Sequence, residues 1–507
     1  MRVMTAEEAV ELIQDNDTVA VCGCENLLLP EKVVSALEER FLKTGHPRNL
    51  TEVHPIIYGM GVGLGLEHFA HEGMTRRVIG SGYSYLKTSR MSQMALLGEV
   101  EAYVVPMGTV FGLLRDIASG RDFHLTSVGL NTFVDPRIEG GRLNQRTTAD
   151  ICSLRVIDGK EYLCYPTFPI NVAIIRGTTA DTHGNITLED EPVTLGIATL
   201  AMAAKNSGGK VIAQVRRLAE AGSLKPREVV VPGIMVDAIV VDPDQTISGG
   251  KELNPALTGE IRMPLEAIEP LPLDIRKIIV RRAAAELGEA RIVNLGVGIP
   301  VEIPRIALET GIIDRLTFFP EHGSVGGVPA GREVFGANIN PEAIIDSTQV
   351  FDCFQGGGLD ATFLGFGEID ELGNVNVSKF NNVVPGCGGF IDITHRTKKI
   401  VFCGTLTAGG LEAEVKHGKL VISKEGRFRK LVKRVEQITF NAENAKRCGQ
   451  EVTYVTERAV FKLTAQGPVL TEIAPGVRLK EDVLENIDFP AQVSPNLKIM
   501  DQALLLE

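Results

Sequence analysis

Short runs of β-branched residues alternate along the chain with amphipathic stretches that have a helical period. The run DTVAVCG (17–23) precedes PEKVVSALEERFLKTG (30–45), and ARIVNLGVG (290–298) precedes EIPRIALETG (302–311). Apolar strands that alternate with one-sided helices are typical of parallel sheets covered by helices. The pattern therefore predicts an α/β fold.

The beginning of the chain predicts a capped helix. Thr5 and Glu8 form a T-x-x-E capping box. The apolar residues that follow share one helical face, and they are Ala6, Ala9, Val10 and Ile13. The segment is acidic and lacks the apolar centre of a signal peptide. No apolar run approaches the ~18 residues of a membrane span, so we expect a cytoplasmic protein with no membrane partner.

Four segments of the first half have counterparts, in the same order, in the second half. The pairs are DTVAVCG with ARIVNLG, TTADTHGNITLED (178–190) with FGEIDELGNVNVSKF (366–380), GGKVIAQV (208–215) with TKKIVFCG (397–404), and REVVVPGIMVDAIVV (227–241) with QEVTYVTERAVFKLT (450–464). Four matches in one order predict a duplicated unit. The matched glycines are 161 positions apart in the first half, from Gly23 to Gly184, and 77 apart in the second, from Gly296 to Gly373.

The repeat predicts two tandem, duplicated open α/β domains. Length alone suggests three or four domains for 507 residues, but the repeat reduces them to two copies of one design. We place them at 1–265 and 275–507, with an insertion of roughly 84 residues within about 50–150 of the first. Prolines interrupt regular structure where the halves meet, in the segment 263–277.

The chain is acidic overall. Asp and Glu number 64 against 52 Lys and Arg, which gives a formal net charge of −12. A chain-wide basic footprint for nucleic acid is therefore absent. Trp is missing and aromatic residues make up 5%, which disfavours stacking platforms for single strands. We expect no nucleic-acid partner, and any phosphate must be bound by local groups.

The eight cysteines are too few for a disulfide scaffold in a chain of this length. Cys22 and Cys24 form a close pair that could bind a metal or be redox active. No second cysteine pair or nearby histidine completes a ligand set. Buried packing is the favoured interpretation, because both residues lie in an apolar run.

Several familiar motifs are absent or have the wrong spacing. The glycines of YGMGVGLG (58–65) recur every two residues, whereas a dinucleotide fingerprint needs a gap of three before the helix. Neither a P-loop nor a G-x-S-x-G elbow occurs. His68 and His71 could face zinc from a helix, but the H-E-x-x-H order is missing. An exposed polar helix face is the plainer interpretation of these histidines.

The segment FFPEHGSVGGVPAG (318–331) carries the strongest chemical signal. An apolar strand ends at Pro320 and is followed by Glu321 and a glycine-rich loop. A carboxylate at the carboxyl end of a strand lies where open α/β sheets bind ligands. The plain alternative is a loop glutamate followed by turn glycines. Two further glycine clusters follow, and the three loops together could line a narrow channel and supply N–H donors to an oxyanion; the clusters are Gly356, Gly357 and Gly358, and Gly386, Gly388 and Gly389.

Several segments together resemble one enzyme family. They are GLEHFAHEGMTRRVIG (65–80), EAYVVPMG (101–108), GLNTFVDPRIEGGRLN (129–144), TTADTHGNITLED, RRAAAELGEARIVNLGVGIP (281–300), the Glu321 loop, FQGGGLD (354–360) and GCGGFIDIT (386–394). With these the chain resembles a family I coenzyme A transferase. It is closest to the single-chain acetate or propionate CoA-transferases and more distantly related to the succinyl-CoA:3-oxoacid enzymes.

The resemblance implies a catalytic glutamate in an E-x-G loop, which Glu321 and Gly323 match. Glu321 would form a glutamyl-CoA thioester from an acyl-CoA and pass the CoA to a carboxylic acid, with ping-pong kinetics. The resemblance places Gly388 and Gly389 near the oxyanion. It places a second group along the CoA or acyl channel: Gly296, Gly298, Gly356, Gly357, Gly358 and Met107. It implies no metal, no permanently bound cofactor, CoA as a substrate, and a homo-oligomer, commonly a tetramer.

Three residues depart from the pattern of the family. Met107 stands in V-P-M-G where relatives have a glutamine, Met60 stands in G-M-G where they tend to have an acid, and His322 follows Glu321 where Ser, Asn or Pro is usual. Replacing an amide by a flexible apolar side chain removes a hydrogen-bonding group. We therefore expect an acyl pocket that is larger or more apolar than an acetate site.

Two alternatives and one uncertain site remain open. The same glutamate could support acyl-CoA hydrolysis if water resolved the intermediate. Related folds also serve as sensors in transcription regulators, but no basic helix-turn-helix precedes the α/β pattern here. The CoA phosphates need cations, and Arg396, Lys398 and Lys399 form a local basic cluster. A solvated strand end explains that cluster better.

Overall fold

The computed structural model describes residues 1–59, 61–246, 253–331, 334–380 and 382–506. Met60, one of the departures noted above, lies outside the described residues. Two large sheets, one in each half of the chain, form the centre of the molecule.

Ten α-helices cover the sheets within the described residues. They are α1 (Ala6–Val10), α2 (Glu31–Thr44), α3 (Arg90–Leu97), α4 (Met107–Ala118), α5 (Ile197–Asn206), α6 (Ile275–Ala284), α7 (Ile303–Glu309), α8 (Ser347–Gly356), α9 (Phe390–Arg396) and α10 (Ala442–Arg447). Helix α1 has the predicted capping box, since the Thr5 hydroxyl accepts from Glu8 N and the Glu8 carboxylate accepts from Thr5 N. The amino-terminal cap is thereby confirmed.

The strands of the first half are β1 (Arg2–Met4), β2 (Thr18–Val21), β3 (Leu50–His54), β4 (Thr75–Gly80), β5 (Glu101–Val104), β6 (Phe123–Thr126), β7 (Ser153–Ile157), β8 (Lys160–Pro166), β9 (Val172–Asp181), β10 (Ile186–Thr187), β11 (Lys210–Ala219) and β12 (Ala238–Val241). The main sheet has the order β1-β12-β11-β9-β2-β3-β4-β5, all parallel, with β10 added antiparallel to β9. All ten residues of β9 are buried, as expected for a central strand covered on both faces. Strands β6 to β8 form a small separate sheet.

The strands of the second half are β13 (Ile292–Leu295), β14 (Thr317–Phe318), β15 (Ser324–Val325), β16 (Val328–Pro329), β17 (Asn338–Ile339), β18 (Ala343–Ile344), β19 (Ala361–Gly365), β20 (Glu368–Asp370), β21 (Val375–Asn376), β22 (Lys399–Cys403), β23 (Thr407–Ala408), β24 (Glu412–Lys416), β25 (Lys419–Lys424), β26 (Phe428–Arg429), β27 (Leu431–Val432), β28 (Glu451–Val455), β29 (Ala459–Thr464), β30 (Gly467–Ile473) and β31 (Gln492–Ile499). The main sheet has the order β14-β13-β19-β22-β28-β29-β30-β31. Its first five strands are parallel.

The two sheets share a five-strand core with one connectivity. The order β3-β2-β9-β11-β12 in the first half corresponds to β14-β13-β19-β22-β28 in the second, and all neighbours are parallel. The first half adds β4 and β5 beyond β3, and the small sheet of β6 to β8. The molecule therefore consists of tandem, duplicated open α/β units, as the sequence predicts, while the boundaries 1–265 and 275–507 and the limits of the insertion stay a prediction.

A turn built on the same hydrogen bonds recurs in both halves. Asp181 accepts from the backbone of His183 and Asn185 and from the Asn185 amide. Asp370 accepts in the same way from Leu372 and Asn374. The glycine before each asparagine has a φ of about +90°, which glycine adopts at little cost. The second sequence match thus reflects a shared local structure.

The fourth sequence match has the wrong register. It sets β12 against β29, whereas the sheets place β12 and β28 at corresponding positions, each parallel to the preceding strand of the core. Both segments are rich in valine, so composition could not distinguish the first strand of the β28–β29 hairpin from the second. Hydrogen bonding to β22 decides which of the two is the counterpart.

The halves pack directly against each other. Phe111 on α4 stacks on Phe351 on α8, with ring centroids 5.8 Å apart. One apolar core extends through both sheets across this contact. Among the described residues, no helix combines the length and apolar character that crossing a membrane requires.

Candidate active site

The strand order of the second sheet reverses next to β13. The chain passes from β13 to β14 on one side and then to β19 on the other. In open α/β sheets the crevice at the carboxyl ends of such strands is where ligands bind. Glu321 follows β14, Gly296 follows β13 and Phe366 follows β19, so the sheet brings all three to one crevice.

A cavity of about 530 Å³ opens at this crevice, between the two halves. The first half contributes Cys24, Glu25, Ile56, Ile57, Ser81, Tyr85 and Met107 to its lining. The second half contributes Gly296, Val297, Glu321, His322, Phe335, Leu364, Gly365, Phe366, Gly367, Glu368, Val377, Phe380, Pro385, Gly386, Cys387, Gly388, Gly389, Phe390, Ile393, Ala408, Phe428, Arg429, Lys430 and Glu436. The lining is mostly apolar, with few charged groups, as is usual for small-molecule sites.

Glu321 lies inside this cavity with only 8% of its surface exposed. The Asn294 amide on β13 donates to Phe319 O at 3.1 Å and to Glu321 Oε2 at 3.4 Å. The Thr362 hydroxyl on β19 donates to Asn294 Oδ1 at 3.1 Å, which fixes which end of the amide faces the carboxylate. A chain of hydrogen bonds across three strands therefore positions the carboxylate.

The glycines after Glu321 allow the chain to approach its own backbone. The loop consists of two nested hairpins, β15 with β18 and β16 with β17. Gly323 has φ +114°, and a β-carbon there would lie 2.1 Å from Ile345 O; a β-carbon on Gly327 would lie 2.2 Å from Ile339 O. The loop geometry thus accounts for glycine in the E-x-G motif, without an approach by substrate.

His322 is buried beside Glu321 and packs edge-on against Phe335, with ring centroids 5.4 Å apart. Burial lowers the pKa of His322, against the opposing effect of the Glu321 charge. The imidazole is therefore neutral near pH 7. Its Nδ1 is buried with no hydrogen-bond partner among the described residues. This departure from the family pattern places an uncharged ring, rather than a cation, next to the carboxylate.

The V-P-M-G segment forms the contact between the halves at the cavity. Gly108 N donates to Asp392 Oδ2 at 3.0 Å, and Gln355 Nε2 donates to Asp392 Oδ1 at 2.9 Å. Burial raises the pKa of Asp392 to about 7, and the nearby Glu321 charge adds to the increase. A β-carbon on Gly108 would lie 2.5 Å from Asp392 Oδ1, so glycine is required here. Met107 is buried and lines the cavity, and its contact with a substrate stays a prediction.

The two glycines predicted near the oxyanion differ in the state of their amides. Gly388 N donates to Ser81 O at 3.0 Å, and Gly388 O accepts from Met107 N at 3.0 Å. Gly389 precedes α9, and its N–H donates to no other group of the described residues. Of the pair, only Gly389 offers a free donor in this conformation, so the prediction for Gly388 is not supported by its hydrogen bonding.

Of the remaining glycines assigned to the CoA channel, some line the cavity and others do not. Gly296 lines the cavity, whereas Gly298 does not. Gly356 is the last residue of α8 and Gly357, with φ +92°, is its carboxyl-terminal cap. Gly358 N donates to Cys353 O. The glycines 356–358 therefore end a helix, as glycines often do, and do not join the other two loops in lining the cavity.

The basic cluster at Arg396, Lys398 and Lys399 lies at the wrong end of the sheet. Strand β22 begins at Lys399 and runs parallel to β14, whose carboxyl end leads to Glu321. Lys399 Nζ donates to Glu286 O at 3.1 Å, and the other two side chains are exposed. A solvated strand end is the interpretation that the structure supports. The cations that do line the cavity are Arg429 and Lys430.

The candidate metal ligands are either buried cysteines or histidines paired with carboxylates. Cys22 and Cys24 are buried, and burial raises the pKa of the Cys24 thiol well above its usual value. His68 is also buried and contacts Glu31 at 2.7 Å and Glu38 at 2.5 Å, so the expected exposed helix face is wrong for this residue. Within the described ranges no cluster of His, Cys, Asp and Glu could hold a metal ion.

Sequence reasoning missed Asn294, Asp392 and Lys430. Two of them have a weak local signal, since Asn294 is a polar residue within the apolar run IVNL and Asp392 interrupts the apolar stretch FIDI. Buried polar residues need partners, so such interruptions could have been flagged. Lys430 is one of many lysines in its segment, and only the tertiary structure distinguishes it.

Comparison with known proteins gives one consistent result. A sequence model of the family described as coenzyme A transferase matches residues 3–242. The chain is 44% identical to the caffeate CoA-transferase of Acetobacterium woodii, with 100% of this chain and 98% of that protein covered. It is 40% identical to the acetate CoA-transferase YdiF of Escherichia coli (strain K12), with 100% and 95% covered.

The fold agrees with these relatives. The crystal structure of the acyl-CoA transferase YdiF from E. coli O157:H7, described as a thioester complex with CoA, superposes with a TM-score of 0.95. It shares 39% sequence identity and covers 100% of this chain and 96% of that one. A buried glutamate at the switch point of a duplicated α/β fold, and similarity along the whole chain to CoA-transferases, lead to one conclusion: the chain belongs to the coenzyme A transferase family and is an acyl-CoA:carboxylate CoA-transferase.

Proposed function

We propose that this enzyme transfers CoA through a glutamyl-CoA thioester formed on Glu321. The observation that carries the proposal is the position of Glu321, buried at the carboxyl end of β14 within the 530 Å³ cavity and held by Asn294. The related E. coli enzyme whose structure is described as a thioester complex with CoA supports the same chemistry.

The reaction conserves the thioester through two half-reactions. The Glu321 carboxylate attacks the acyl-CoA carbonyl, the C–S bond breaks, and CoA thiolate leaves behind a mixed anhydride. The thiolate attacks the glutamyl carbonyl, so the first carboxylic acid departs as its carboxylate and a glutamyl-CoA thioester forms. An incoming carboxylate reverses these steps and leaves as its own CoA thioester. Covalent catalysis of this kind predicts ping-pong kinetics.

The site orients the Glu321 carboxylate and offers a hydrogen-bond donor to the negative charge that develops during the reaction. Asn294 holds the carboxylate from one side, and the Gly389 N–H is available to an oxyanion that forms at the carbonyl under attack. Neutral His322 leaves the glutamate without a cationic neighbour on that side. The chemistry as proposed needs neither a metal nor a permanently bound cofactor.

The substrate class follows from the lining. Met107 and the rings of Tyr85, Phe335, Phe366, Phe380 and Phe390 surround the cavity with apolar surface. Relatives of nearly equal similarity are described as acting on caffeate and on acetate. We infer that this enzyme accepts carboxylic acids with an apolar or aromatic body in addition to short-chain ones. Cytoplasmic location and assembly into a homo-oligomer stay predictions.

Mass spectrometry after incubation with an acyl-CoA tests the intermediate. We expect an adduct with the mass of CoA, less water, on the peptide that carries Glu321, and its loss in Glu321→Gln, which preserves side-chain size. Glu342→Gln is the matched control, because Glu342 is an exposed carboxylate of the same loop. Full transferase activity in Glu321→Gln would refute the proposal.

The same incubation distinguishes transfer from hydrolysis. A transferase consumes acyl-CoA only when a carboxylate acceptor is present, apart from one equivalent per active site. Steady loss of acyl-CoA with no acceptor would instead assign the enzyme as an acyl-CoA hydrolase that uses the same glutamate. Parallel double-reciprocal plots over several acceptor concentrations are expected for the ping-pong mechanism.

A further inference from the structure

Three consecutive backbone carbonyls at the end of β4, the carbonyl row of residues 80–82, bind three different parts of the chain. Gly80 O accepts from Val105 N at 2.9 Å, and Ser81 O accepts from Gly388 N at 3.0 Å. Val105 belongs to the V-P-M-G segment of the first half, and Gly388 belongs to the glycine loop of the second half. Both segments contribute to the cavity lining. The carbonyl row therefore holds two walls of the candidate site together.

The third carbonyl of the row, Gly82 O, binds a buried histidine. His54 Nε2 lies 2.7 Å from Gly82 O, and His54 Nδ1 lies 2.7 Å from Glu52 Oε2. The Tyr58 hydroxyl donates to the other Glu52 oxygen at 3.0 Å. The side chains of these three residues of the first half are fully buried. No step of the proposed reaction uses them.

The contacts of His54 require a charged ring. Both of its nitrogens face groups that only accept hydrogen bonds, whereas a neutral imidazole carries one N–H. His54 is therefore an imidazolium paired with the Glu52 carboxylate. Burial lowers the pKa of His54, but the Glu52 charge and the hydrogen bonds outweigh that effect, and the pKa is raised. Apolar residues often stabilise a core as well as a buried ion pair does, so stability alone is a weak reason for this pair.

The histidine ring and the glycine loop lie against opposite sides of the carbonyl row. A β-carbon on Gly80 would lie 2.0 Å from His54 Nε2, and a β-carbon on Gly82 would lie 1.8 Å from Pro385 O. The ring therefore fits closely on the backbone of the row, and the row fits closely on the loop of the other half. A change in the position of Gly82 would be transmitted directly to that loop.

His54 acts at a distance from the substrate. It is not among the residues of the described cavity lining, whereas Ser81, Gly388 and Gly389 are. Gly389 carries the N–H that the proposed reaction assigns to the oxyanion, and it directly follows the residue bound to Ser81 O. Any effect of His54 on the reaction therefore passes through the backbone.

We propose that His54 is a positioning residue for the transfer reaction: its hydrogen bond to Gly82 O fixes the carbonyl row, and the row holds the Gly389 N–H at the developing oxyanion. Pre-aimed donors stabilise an oxyanion only when they are already in place as the charge forms. The inference rests on the proposed function, since it takes acyl transfer to occur at Glu321 with Gly389 as the donor.

Two variants with the same charge isolate the hydrogen bond to Gly82 O. In Glu52→Gln the pair is neutral, and His54 can donate from Nε2 to Gly82 O while its Nδ1 accepts from the new amide. In the double variant Glu52→Gln/His54→Leu, the side chain at position 54 is of similar size but donates to nothing. His54→Leu alone is avoided, because it would leave Glu52 as an unpaired buried charge.

The first measurement is the single-turnover rate of CoA-adduct formation on Glu321 from acyl-CoA, together with steady-state kinetics. Glu52→Gln should stay close to the wild-type rate. Loss of one oxyanion donor costs about 100- to 1000-fold in kcat, so its displacement in the double variant should lower kcat about tenfold or more. KM for acyl-CoA should not change, because the donor acts only in the transition state.

Hydrogen exchange gives a second measurement that does not depend on the reaction. The Gly388 N–H is bound by Ser81 O and the Val105 N–H by Gly80 O. Loosening of the carbonyl row should therefore speed exchange in the peptides that carry these two amides. Mass spectrometry should detect faster exchange in the double variant and wild-type exchange in Glu52→Gln.

The control for a general loss of packing is His124→Leu. His124 is a largely buried histidine that is also paired with a carboxylate, since its Nδ1 lies 2.8 Å from Asp116 Oδ2. It is absent from the described cavity lining. This variant should unfold at a lower urea concentration than the wild type but keep its kcat and its exchange at Gly388.

Four outcomes would overturn the assignment. Equal adduct rates in Glu52→Gln and the double variant would remove His54 from the reaction, and equal losses in both would assign the effect to the charge of the pair. A slower rate without faster exchange at Gly388 would exclude the route through the carbonyl row. A raised KM with unchanged kcat would mean that His54 affects substrate binding. If instead the proposed function fails, the adduct on Glu321 is missing from the wild-type enzyme, while the difference in exchange between the two variants remains.

Discussion

Replacing Asn294 tests whether the hydrogen-bond chain across β19, β13 and β14 supports catalysis. In Asn294→Ala the Glu321 carboxylate loses the amide donor at 3.4 Å, and Phe319 O loses its donor at 3.1 Å. Asn294 is fully buried and does not itself line the cavity, so the substitution replaces none of the lining residues. The variant therefore removes orientation while the nucleophile stays in place.

The size of the effect follows from the geometry. A hydrogen bond to a charged group contributes about 1.5–3 kcal/mol, and the long 3.4 Å distance favours the lower end. Since 1.36 kcal/mol is a tenfold change in rate, kcat/KM should fall about tenfold. The bond to Phe319 O adds about 1 kcal/mol to the loss of folding stability. Thr362→Val keeps the Asn294 amide but removes the hydroxyl that fixes its orientation. It should therefore lower kcat/KM less than Asn294→Ala does.

Asn294→Asp is the more demanding variant. It keeps the size of the side chain but places a second carboxylate beside Glu321 in a buried site. Two neighbouring carboxylates resist ionising together, so the acid limb of the pH–rate profile should move to higher pH. Asn294→Ala removes a donor to the carboxylate but introduces no charge, so its displacement should be smaller than that of Asn294→Asp.

The assay is the rate of CoA-adduct formation on Glu321 in a single turnover, measured from pH 5 to 9, together with steady-state kinetics. Single-turnover rates separate formation of the intermediate from product release. Wild-type rates in Asn294→Ala, with an unchanged pH profile in Asn294→Asp, would refute the role of the hydrogen-bond chain. A loss of stability without a loss of rate would make Asn294 a purely structural residue.

Three further predictions concern the contact between the halves and the acyl pocket. The pKa of buried Asp392, raised to about 7, means that the native state holds a proton that the unfolded chain releases near pH 4. Stability should then fall between pH 5 and 7 by about 2 kcal/mol in urea titrations, and Asp392→Asn should flatten this dependence. Gly386→Ala places a β-carbon 2.2 Å from Ser81 O at a φ of +77° and should lower the free energy of unfolding by about 2–4 kcal/mol. Its control is Gly356→Ala, where the β-carbon meets open space, and this variant should change neither stability nor activity. Met107→Gln should shift kcat/KM by about tenfold from aromatic acids toward acetate in an acceptor panel.

Each of these has a contradicting result. Parallel pH dependences of unfolding in wild type and Asp392→Asn would show that Asp392 is ionised throughout this range. A stable Gly386→Ala variant would mean that the loops of the two halves separate without cost. A tenfold increase in the KM for acyl-CoA in Gly356→Ala would mean that the helix-capping glycines do line the CoA channel. An unchanged acceptor preference in Met107→Gln would mean that Met107 does not contact the acyl group.

The fold and its central residue were accessible from the sequence because both depend on local patterns. Apolar strand runs followed by one-sided helices predict a parallel α/β sheet, and a repeated order of segments predicts its duplication. Glu321 stands out because a strand end, a carboxylate and a glycine-rich loop follow one another directly. The aspartate–asparagine turns at Asp181 and Asp370 repeat for the same reason, since all their hydrogen bonds lie within five residues.

The roles of the glycines could not be predicted in the same way. Gly323 is required by Ile345 O, and Gly386 by Ser81 O. Gly357 caps a helix, and the Gly388 amide is used by Ser81. In the sequence these four glycines look alike, because a glycine has no side chain whose chemistry could reveal what approaches it.

The sequence by itself therefore determined the fold class and the repeat and singled out the proposed nucleophile, because all three depend on the spacing of residue types along the chain. The tertiary structure decided which partners surround that nucleophile. Asn294 reaches Glu321 across neighbouring strands, and Asp392 meets Gly108 from the other half. Lys430 lies in the cavity lining and forms no ion pair with any of the described residues. Hydrogen bonds and ion pairs act over a few ångströms, so only the folding of distant segments onto one crevice decides which of these groups are satisfied and which remain available to a substrate.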